Sequence, residues 1–178
     1  ALIHYPVYNK VGEVVTSSVT TLDIHDISRV ARTYSVGSFC VVTPLKTQRL
    51  LVERLIEHWM TGYGAKYNPT RKEALLVTRV MNNLAETVRY LTERYGKKPV
   101  TVATGARKFS KSVGFQYLRG EMKKGEPILL LFGTGWGLEK SIFEEADYVL
   151  DPVGGVGKYN HLPVRAAIAI ILDRLIAR

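Results

Sequence analysis

The sequence predicts an α/β domain with a mostly parallel sheet and helices on both of its faces. Short apolar runs alternate with stretches of helical period along the chain. Several of these runs are apolar on both faces, as the buried strands of a parallel sheet require. The length of 178 residues, of which 46 % are hydrophobic, suffices for one core, so we expect a single domain over residues 1–178.

Six strands are expected, at residues 2–8, 39–43, 75–80, 100–103, 128–132 and 148–150. Between them, helices are expected at about 23–34, 47–59 and 139–145, and another begins at Asn83, which has the spacing of a capping box with Glu86. Residues 61–72 are polar, basic and rich in turn formers, which predicts a long loop. That loop is either a solvated connection or a segment whose tyrosines and cations bind a single strand.

The last helix is expected to begin at Pro163 and to be apolar around most of its circumference. From Val164 to Leu172 only Arg165 is polar. Such a helix must be covered on more than one side, either within the monomer or by a second subunit. In a protein of this size we favour the subunit interface.

Cysteine usage, hydropathy and charge limit the compartment and the partners. Cys40 is the only cysteine and lies in an apolar run, so no disulfide within the chain is possible and a buried thiol in a reducing, cytoplasmic setting is expected. No leader and no apolar run of the ~20 residues that cross a bilayer is present, so neither secretion nor membrane insertion is expected. The formal net charge of +9 attracts polyanions such as RNA or DNA, or serves only solubility.

Two glycine-rich segments follow the last two predicted strands. The first is GTGWGL at 133–138, and the second spans 151–162. Glycines allow backbone N–H groups to approach a ligand, and open α/β sheets bind ligands where their strands end. A P-loop ending at Lys140-Ser141 would need glycine at 134 and 139, and a dinucleotide fingerprint from Gly133 would need it at 138, so neither matches. Taken alone, the first segment is equally well a tight turn.

Three segments resemble the motifs of SPOUT RNA methyltransferases. Residues 131–138 (LFGTGWGL) and 159–164 (YNHLPV) resemble the two C-terminal motifs, of which the second is an Asn-x-Leu-x-Val signature that opens a last apolar helix. Residues 26–37 (DISRVARTYSVG) resemble the first motif, in which an Asn precedes an Arg by six positions, and Arg32 matches that Arg. The resemblance implies S-adenosyl-L-methionine (SAM) as cofactor, a tRNA or rRNA substrate, a C-terminal trefoil knot and a homodimer through the last helix.

The resemblance also implies which residues bind the cofactor. No metal site is expected. The implied cofactor site consists of Thr104, Gly105, Phe132, Gly133, Thr134, Gly135, Trp136, Gly137, Leu150, Pro152, Gly154, Gly155, Tyr159, Asn160, His161 and Leu162. Candidates for RNA binding are Arg29, Arg107, Lys108, Lys111 and Lys158.

Arg32 and Asp26 are the catalytic candidates. Arg32, which stays protonated, holds an RNA phosphate or the target group, or else is an ion-paired cation on a helix surface. Asp26 accepts a proton or orients Arg32, or else caps a helix. Trp136 stacks on the ligand or fills the core, and His161 is a general base or a structural residue.

The chain departs from the motif pattern at three places. Asp26 stands where the family has Asn, no acidic residue occurs in GTGWG, and Arg165 stands where ribose-methylating members have serine. These departures leave two alternatives open, a non-catalytic RNA-binding protein with the same fold and a nucleotide-binding regulatory domain.

Overall fold

The computed structural model describes residues 1–157 and 159–177. The strands are β1 (Leu2–Ile3), β2 (Val7–Tyr8), β3 (Val14–Val15), β4 (Phe39–Val42), β5 (Thr78–Met81), β6 (Val100–Ala103), β7 (Ser112–Val113), β8 (Ile128–Gly133) and β9 (Tyr148–Leu150). The helices are α1 (Thr21–Thr33), α2 (Lys46–Met60), α3 (Tyr63–Tyr67), α4 (Pro69–Leu75), α5 (Leu84–Tyr95), α6 (Phe115–Met122), α7 (Lys140–Glu145) and α8 (Val164–Ile176).

Seven of the strands form one sheet in the order β5-β4-β1-β8-β6-β9-β7. Every neighbouring pair in it is parallel. The sheet buries one side against α1, α2, α6 and α8 and the other side against α5 and α7. The predicted α/β class, with a parallel sheet between two helical layers, is therefore confirmed, whereas the trefoil knot stays a prediction.

The predicted strand at 2–8 is wrong in its middle. Pro6 has no N–H for a ladder, and the chain turns there. β1 therefore ends at Ile3 inside the sheet, and β2 pairs instead with β3 in an antiparallel hairpin.

The predicted loop at 61–72 is also wrong, because the chain forms α3 and α4 there. Asn68 caps α4, with its side chain accepting a hydrogen bond from the N–H of Arg71 at 3.0 Å, and Pro69 occupies the first turn. Asn followed by Pro is a helix start signal that the sequence contains. Because α4 continues to Leu75, β5 begins only at Thr78.

The last helix packs one of its sides within the monomer. Ile168, Ile171, Leu172 and Leu175 are buried against the sheet, whereas the side that contains Ile170 is only half-buried. Pro163 precedes the first turn at the N-cap position. None of the helices in the described ranges is long and apolar enough to cross a membrane.

Cys40 and His4 are buried on the central strands. Burial raises the pKa of the Cys40 thiol, as a structural cysteine requires. His4 follows β1, with its Nδ1 3.0 Å from the hydroxyl oxygen of Ser17, and its buried Nε2 has no hydrogen-bond partner among the described residues. Ser17 in turn contacts the hydroxyl of Thr134, so a chain of hydrogen bonds joins His4 to the loop after β8.

Burial lowers the pKa of His4 to about 4, with the charge of Asp23 and the hydrogen bond to Ser17 opposing the shift. The unfolded chain, in which the pKa is near 6.5, therefore binds a proton first as the pH falls. The stability that depends on neutral His4 is fully present at pH values above the pKa of His4 in the unfolded chain. It decreases as the pH falls toward the lower pKa of His4 in the folded protein.

We expect His4 to lower the free energy of unfolding by about 3 kcal/mol across this window, at ~1.4 kcal/mol per pKa unit. His4→Gln retains an amide that can bond Ser17 but does not titrate, so its stability should lack this pH-dependent contribution. Urea unfolding of both proteins at neutral pH and at about pH 4 measures the difference. Parallel pH profiles for the two proteins would contradict the assignment.

Candidate functional site

Three loops leave neighbouring strands at one edge of the sheet. β6 lies between β8 and β9, so the loop at 104–106 is flanked by the glycine-rich segments at 133–138 and 151–162. The amide of Asn160 donates a hydrogen bond of 2.8 Å to the carbonyl oxygen of Ala106. This bond ties the third loop to the first, and the three loops form one candidate site.

The segment at 133–138 is fixed by the hairpin formed by β2 and β3. The N–H of Trp136 donates to the carbonyl oxygen of Tyr8 at 3.0 Å, and the N–H of Tyr8 donates to that of Gly137 at 2.9 Å. Gly135 has φ +57°, and a Cβ there would lie 3.0 Å from the Tyr8 carbonyl oxygen, so both conformation and space require glycine. Trp136 is 64 % exposed, which shows that the alternative of a core-filling Trp136 is wrong.

The segment at 151–162 has many unused hydrogen-bond donors. Within the part of this loop that the structure describes, no backbone N–H from Val153 to Leu162 donates to another described residue. A Cβ on Gly154 or Gly155 would meet no atom within 4 Å. The side chains of Tyr159 and Leu162 are exposed beside these donors. Free donors next to apolar side chains suit a ligand that combines an aromatic base with acceptor atoms.

Other residues of the predicted cofactor site have structural contacts. The hydroxyl of Thr104 is buried and donates to the Leu131 carbonyl oxygen at 2.9 Å. Phe132 and Leu150 belong to the core, so only their backbones are available to a ligand. His161 is exposed and lies edge-on to Tyr159, with 5.3 Å between ring centroids.

Both catalytic candidates lie in ion pairs on α1. The guanidinium of Arg32 is 2.6 Å from a carboxylate oxygen of Glu73 on α4. Asp26 accepts a hydrogen bond of 2.7 Å from Arg165, whose Nε is 3.4 Å from Asp23. Thr20 caps α1, so the alternative of Asp26 as a helix cap is wrong. Two of the three departures from the motif pattern, Asp26 and Arg165, are thus in direct contact.

The predicted RNA-binding cations fall into three groups. Lys108 pairs with Asp151 at 3.3 Å, and Lys111 donates to two carbonyl oxygens at the end of α7, at 3.1 and 3.2 Å. Arg29 and Arg107 are exposed and have no salt bridge within the described ranges. Lys158 lies outside the described residues.

Tyr8 and Glu139 are parts of the site that the sequence did not reveal. The phenol of Tyr8 donates to a carboxylate oxygen of Glu139 at 3.2 Å and so links the hairpin to the residue that follows the loop at 133–138. Glu139 caps α7, and hydrogen bonds from Ser141 lower the pKa of its carboxyl group. Glu139 before Lys140-Ser141 was the available signal, since acidic residues favour helix starts.

Comparisons with a family model and with a named relative both indicate an RNA methyltransferase. A family model described as SAM-dependent RNA methyltransferase matches residues 1–177. An uncharacterized protein of Aquifex aeolicus is 40 % identical in an alignment 179 residues long that covers 100 % of this chain and 87 % of that protein. A tRNA (guanine-N(1)-)-methyltransferase of Oleidesulfovibrio alaskensis is 42 % identical over 176 residues, or 99 % of this chain and 41 % of the relative. This chain therefore spans less than half of that relative.

Among solved structures, the fold is similar to that of the SpoU methyltransferase AviRb from Streptomyces viridochromogenes in complex with AdoMet. The TM-score is 0.58 at 17 % identity, over 89 % of this chain and 56 % of the other. At this identity the similarity concerns the fold, and it agrees with the SPOUT class that the motifs predict.

The contact of Arg165 with Asp26 and Asp23 should make substitutions at these positions interdependent. We expect Asp26→Asn and Arg165→Ser together to cost less stability than the sum of the single changes, with a coupling of about 1 kcal/mol. Asp26→Asn leaves Arg165 with only its longer contact to Asp23, and Arg165→Ser leaves both carboxylates without their cation. Urea unfolding of the four proteins measures the coupling. The control cycle, Lys97→Ser with Glu126→Gln, concerns a more exposed pair and should give a smaller value. Additive effects of Asp26→Asn and Arg165→Ser would contradict the prediction.

Proposed function

This chain belongs to the family of SAM-dependent RNA methyltransferases, and we propose that it methylates a nucleotide of tRNA or rRNA at the junction of the loops at 104–106, 133–138 and 151–162. The observation on which the proposal rests is that Asn160 joins two of these loops while the third is fixed by the hairpin. The family match supports the cofactor, and the loops supply donors and apolar surface for it. When bound, SAM provides the methyl group as an electrophile.

The residues of this chain then have to bind, orient and exclude water. Among the described residues from Val153 to Leu162, the unused N–H groups would hold acceptor atoms of the cofactor, and exposed Trp136 and Tyr159 would cover its base. Glycine at 154 and 155 keeps the space between the loops open.

Arg32 and Asp26 handle the RNA. An exposed ion pair such as that of Arg32 with Glu73 is weak, so an RNA phosphate can replace the carboxylate at little cost in free energy. Asp26 presents a carboxylate, held in place by Arg165, that can accept a hydrogen bond from the target group. Arg165 stands where ribose-methylating members have serine, which argues for a target other than the ribose hydroxyl.

We also propose a cytoplasmic homodimer. The half-buried side of α8, which contains Ile170, remains available for a second subunit after the opposite side has packed on the sheet. In such a dimer Arg32 of one subunit completes the site formed by the loops of the other. The name of the Oleidesulfovibrio relative favours tRNA as the substrate. Because the chain corresponds to only 41 % of that protein, we do not propose the same methylated atom for this chain.

A non-catalytic RNA-binding protein is the second candidate function. The observation in its favour is that both catalytic candidates are engaged in ion pairs. Transfer of labelled methyl groups from SAM to bulk tRNA or rRNA distinguishes the two, because only the first candidate function labels the RNA.

Saturating SAM, or its demethylated product, should raise the melting temperature by about 5 °C or more, since ligand at 100 times its Kd stabilises the folded state by about 2.7 kcal/mol. Gly155→Trp fills the space between the loops and should abolish the shift without unfolding the chain. The matched control is Gly120→Trp, because Gly120 is exposed on α6 and is equally free of neighbours. An unmoved wild-type melting curve would refute the cofactor site.

Mixing two inactive variants tests the shared site. Arg32→Ala removes the arginine and Gly155→Trp blocks the loops, so a mixed dimer has one site with both defects and one site with neither. After subunit exchange, methyl transfer should recover to roughly a quarter of the wild-type level per subunit. If exchange is demonstrated by differently tagged subunits and activity does not return, Arg32 does not act across the interface.

A further inference from the structure

Two tyrosines project from α3 into solvent. Tyr63 is 77 % and Tyr67 74 % exposed, and their rings lie 6.0 Å apart with an interplanar angle of 24°. Single exposed aromatic residues need no explanation, but two nearly parallel rings on one short helix form a repeated flat surface. Nucleobases stack on such surfaces whatever their sequence.

Cations are close to these tyrosines in the sequence. Lys66, Arg71 and Lys72 are the charged residues between Glu57 and Glu73, so the segment that forms α3 and most of α4 contains no carboxylate. The guanidinium of Arg71 lies 4.3 Å from the ring centroid of Trp59 on α2, and this cation–π contact holds the Arg71 side chain in place. Cations between aromatic rings match the alternation of phosphates and bases along a single strand.

α4 packs on α1, and there its Glu73 pairs with Arg32. His25 on α1 lies edge-on to Trp59, with 5.7 Å between ring centroids. Burial lowers the pKa of His25 and the positive charge of Arg71 lowers it further, whereas the carboxylate of Asp26 opposes the shift. The next residue on α1 is Asp26, one of the two catalytic candidates.

We propose that α3 and α4 form the surface that holds a single-stranded flank of the RNA substrate, with bases on Tyr63 and Tyr67 and phosphates on Lys66 and Lys72. The strand then passes over Arg71 and Arg29 and brings the target nucleotide to the amino-terminal half of α1. The inference rests on the proposed function, since it names the part of the chain that binds that substrate. Double-stranded RNA does not expose base faces and binds this surface more weakly.

The test uses the full chain and a fluorescently labelled single-stranded RNA, with the corresponding duplex for comparison, titrated at several salt concentrations. Tyr63→Ala with Tyr67→Ala should weaken single-strand binding by about 10- to 100-fold and leave its salt dependence unchanged. Tyr63→Phe with Tyr67→Phe should bind as wild type, because phenylalanine retains the stacking face. Lys66→Ala with Lys72→Ala should reduce the slope of log K against log salt by about 1.4, at ~0.7 for each lost phosphate contact.

The control residues lie outside α3 and α4. Tyr117→Ala removes an exposed tyrosine of α6, and Lys97→Ala with Lys124→Ala removes two exposed lysines, and neither variant should alter RNA binding by more than about 2-fold. The SAM-induced melting shift confirms that each variant is folded. As a second measurement, photocrosslinking to thiouridine-containing RNA should label residues 63–75, which form α3 and α4.

The outcomes separate the two proposals. If wild type binds single-stranded RNA and the Tyr63/Tyr67 alanine variant binds it equally well, the surface is wrong while the proposed function stands. The same conclusion follows if wild type prefers the duplex, or if the crosslink lies outside residues 63–75. If wild type binds neither form of RNA, the proposed substrate class fails and the surface fails with it.

Discussion

The parallel alignment of the seven strands is the constraint on which the other features depend. Because all strands run in the same direction, the chain leaves each of them at the same edge, and residues far apart in sequence meet there. Asn160 and Ala106 illustrate this, since they follow β9 and β6 and are joined by a hydrogen bond. The hairpin formed by β2 and β3 lies outside the sheet and holds the loop at 133–138 through backbone hydrogen bonds. An antiparallel strand in the centre would have moved one of the three loops to the opposite edge.

The contact of Asp26 with Arg165 gives a physical meaning to two departures from the SPOUT motif pattern. A carboxylate in place of Asn and a guanidinium in place of Ser would each introduce a charge where relatives have a neutral group. Together they neutralise each other, and Asp23 contributes a second carboxylate to the same arginine. The two departures therefore belong to one interaction between α1 and the start of α8.

The fold class was predictable because the buried strands are apolar on both faces. β4, β6 and β9 lie within one residue of their predicted bounds, and so does α2. Short elements with few apolar residues, such as β7 and α6, give no periodic signal and were missed. Glycine content and the motif resemblance identified the loops of the site. The ion pairs on α1 and the link from His4 to Thr134 could not be inferred, because they join side chains that are distant in sequence, by 41 residues for Arg32 and Glu73 and by 139 for Asp26 and Arg165.

The position of β1 has a consequence for how the chain reaches its native state. This strand of two residues pairs on one side with β4 and on the other with β8, where Leu2 lies opposite Phe132. A chain emerging from the ribosome can assemble β5, β4 and β1 early, but that half-sheet keeps an open edge of unpaired backbone groups until β8 has been synthesised. The β1 to β8 seam is thus the place where two partial sheets dock. Among the strand pairs of the sheet, this one joins the residues that are farthest apart in sequence, Leu2 and Phe132. Folding speed and the exposure to aggregation during synthesis are decided at this seam.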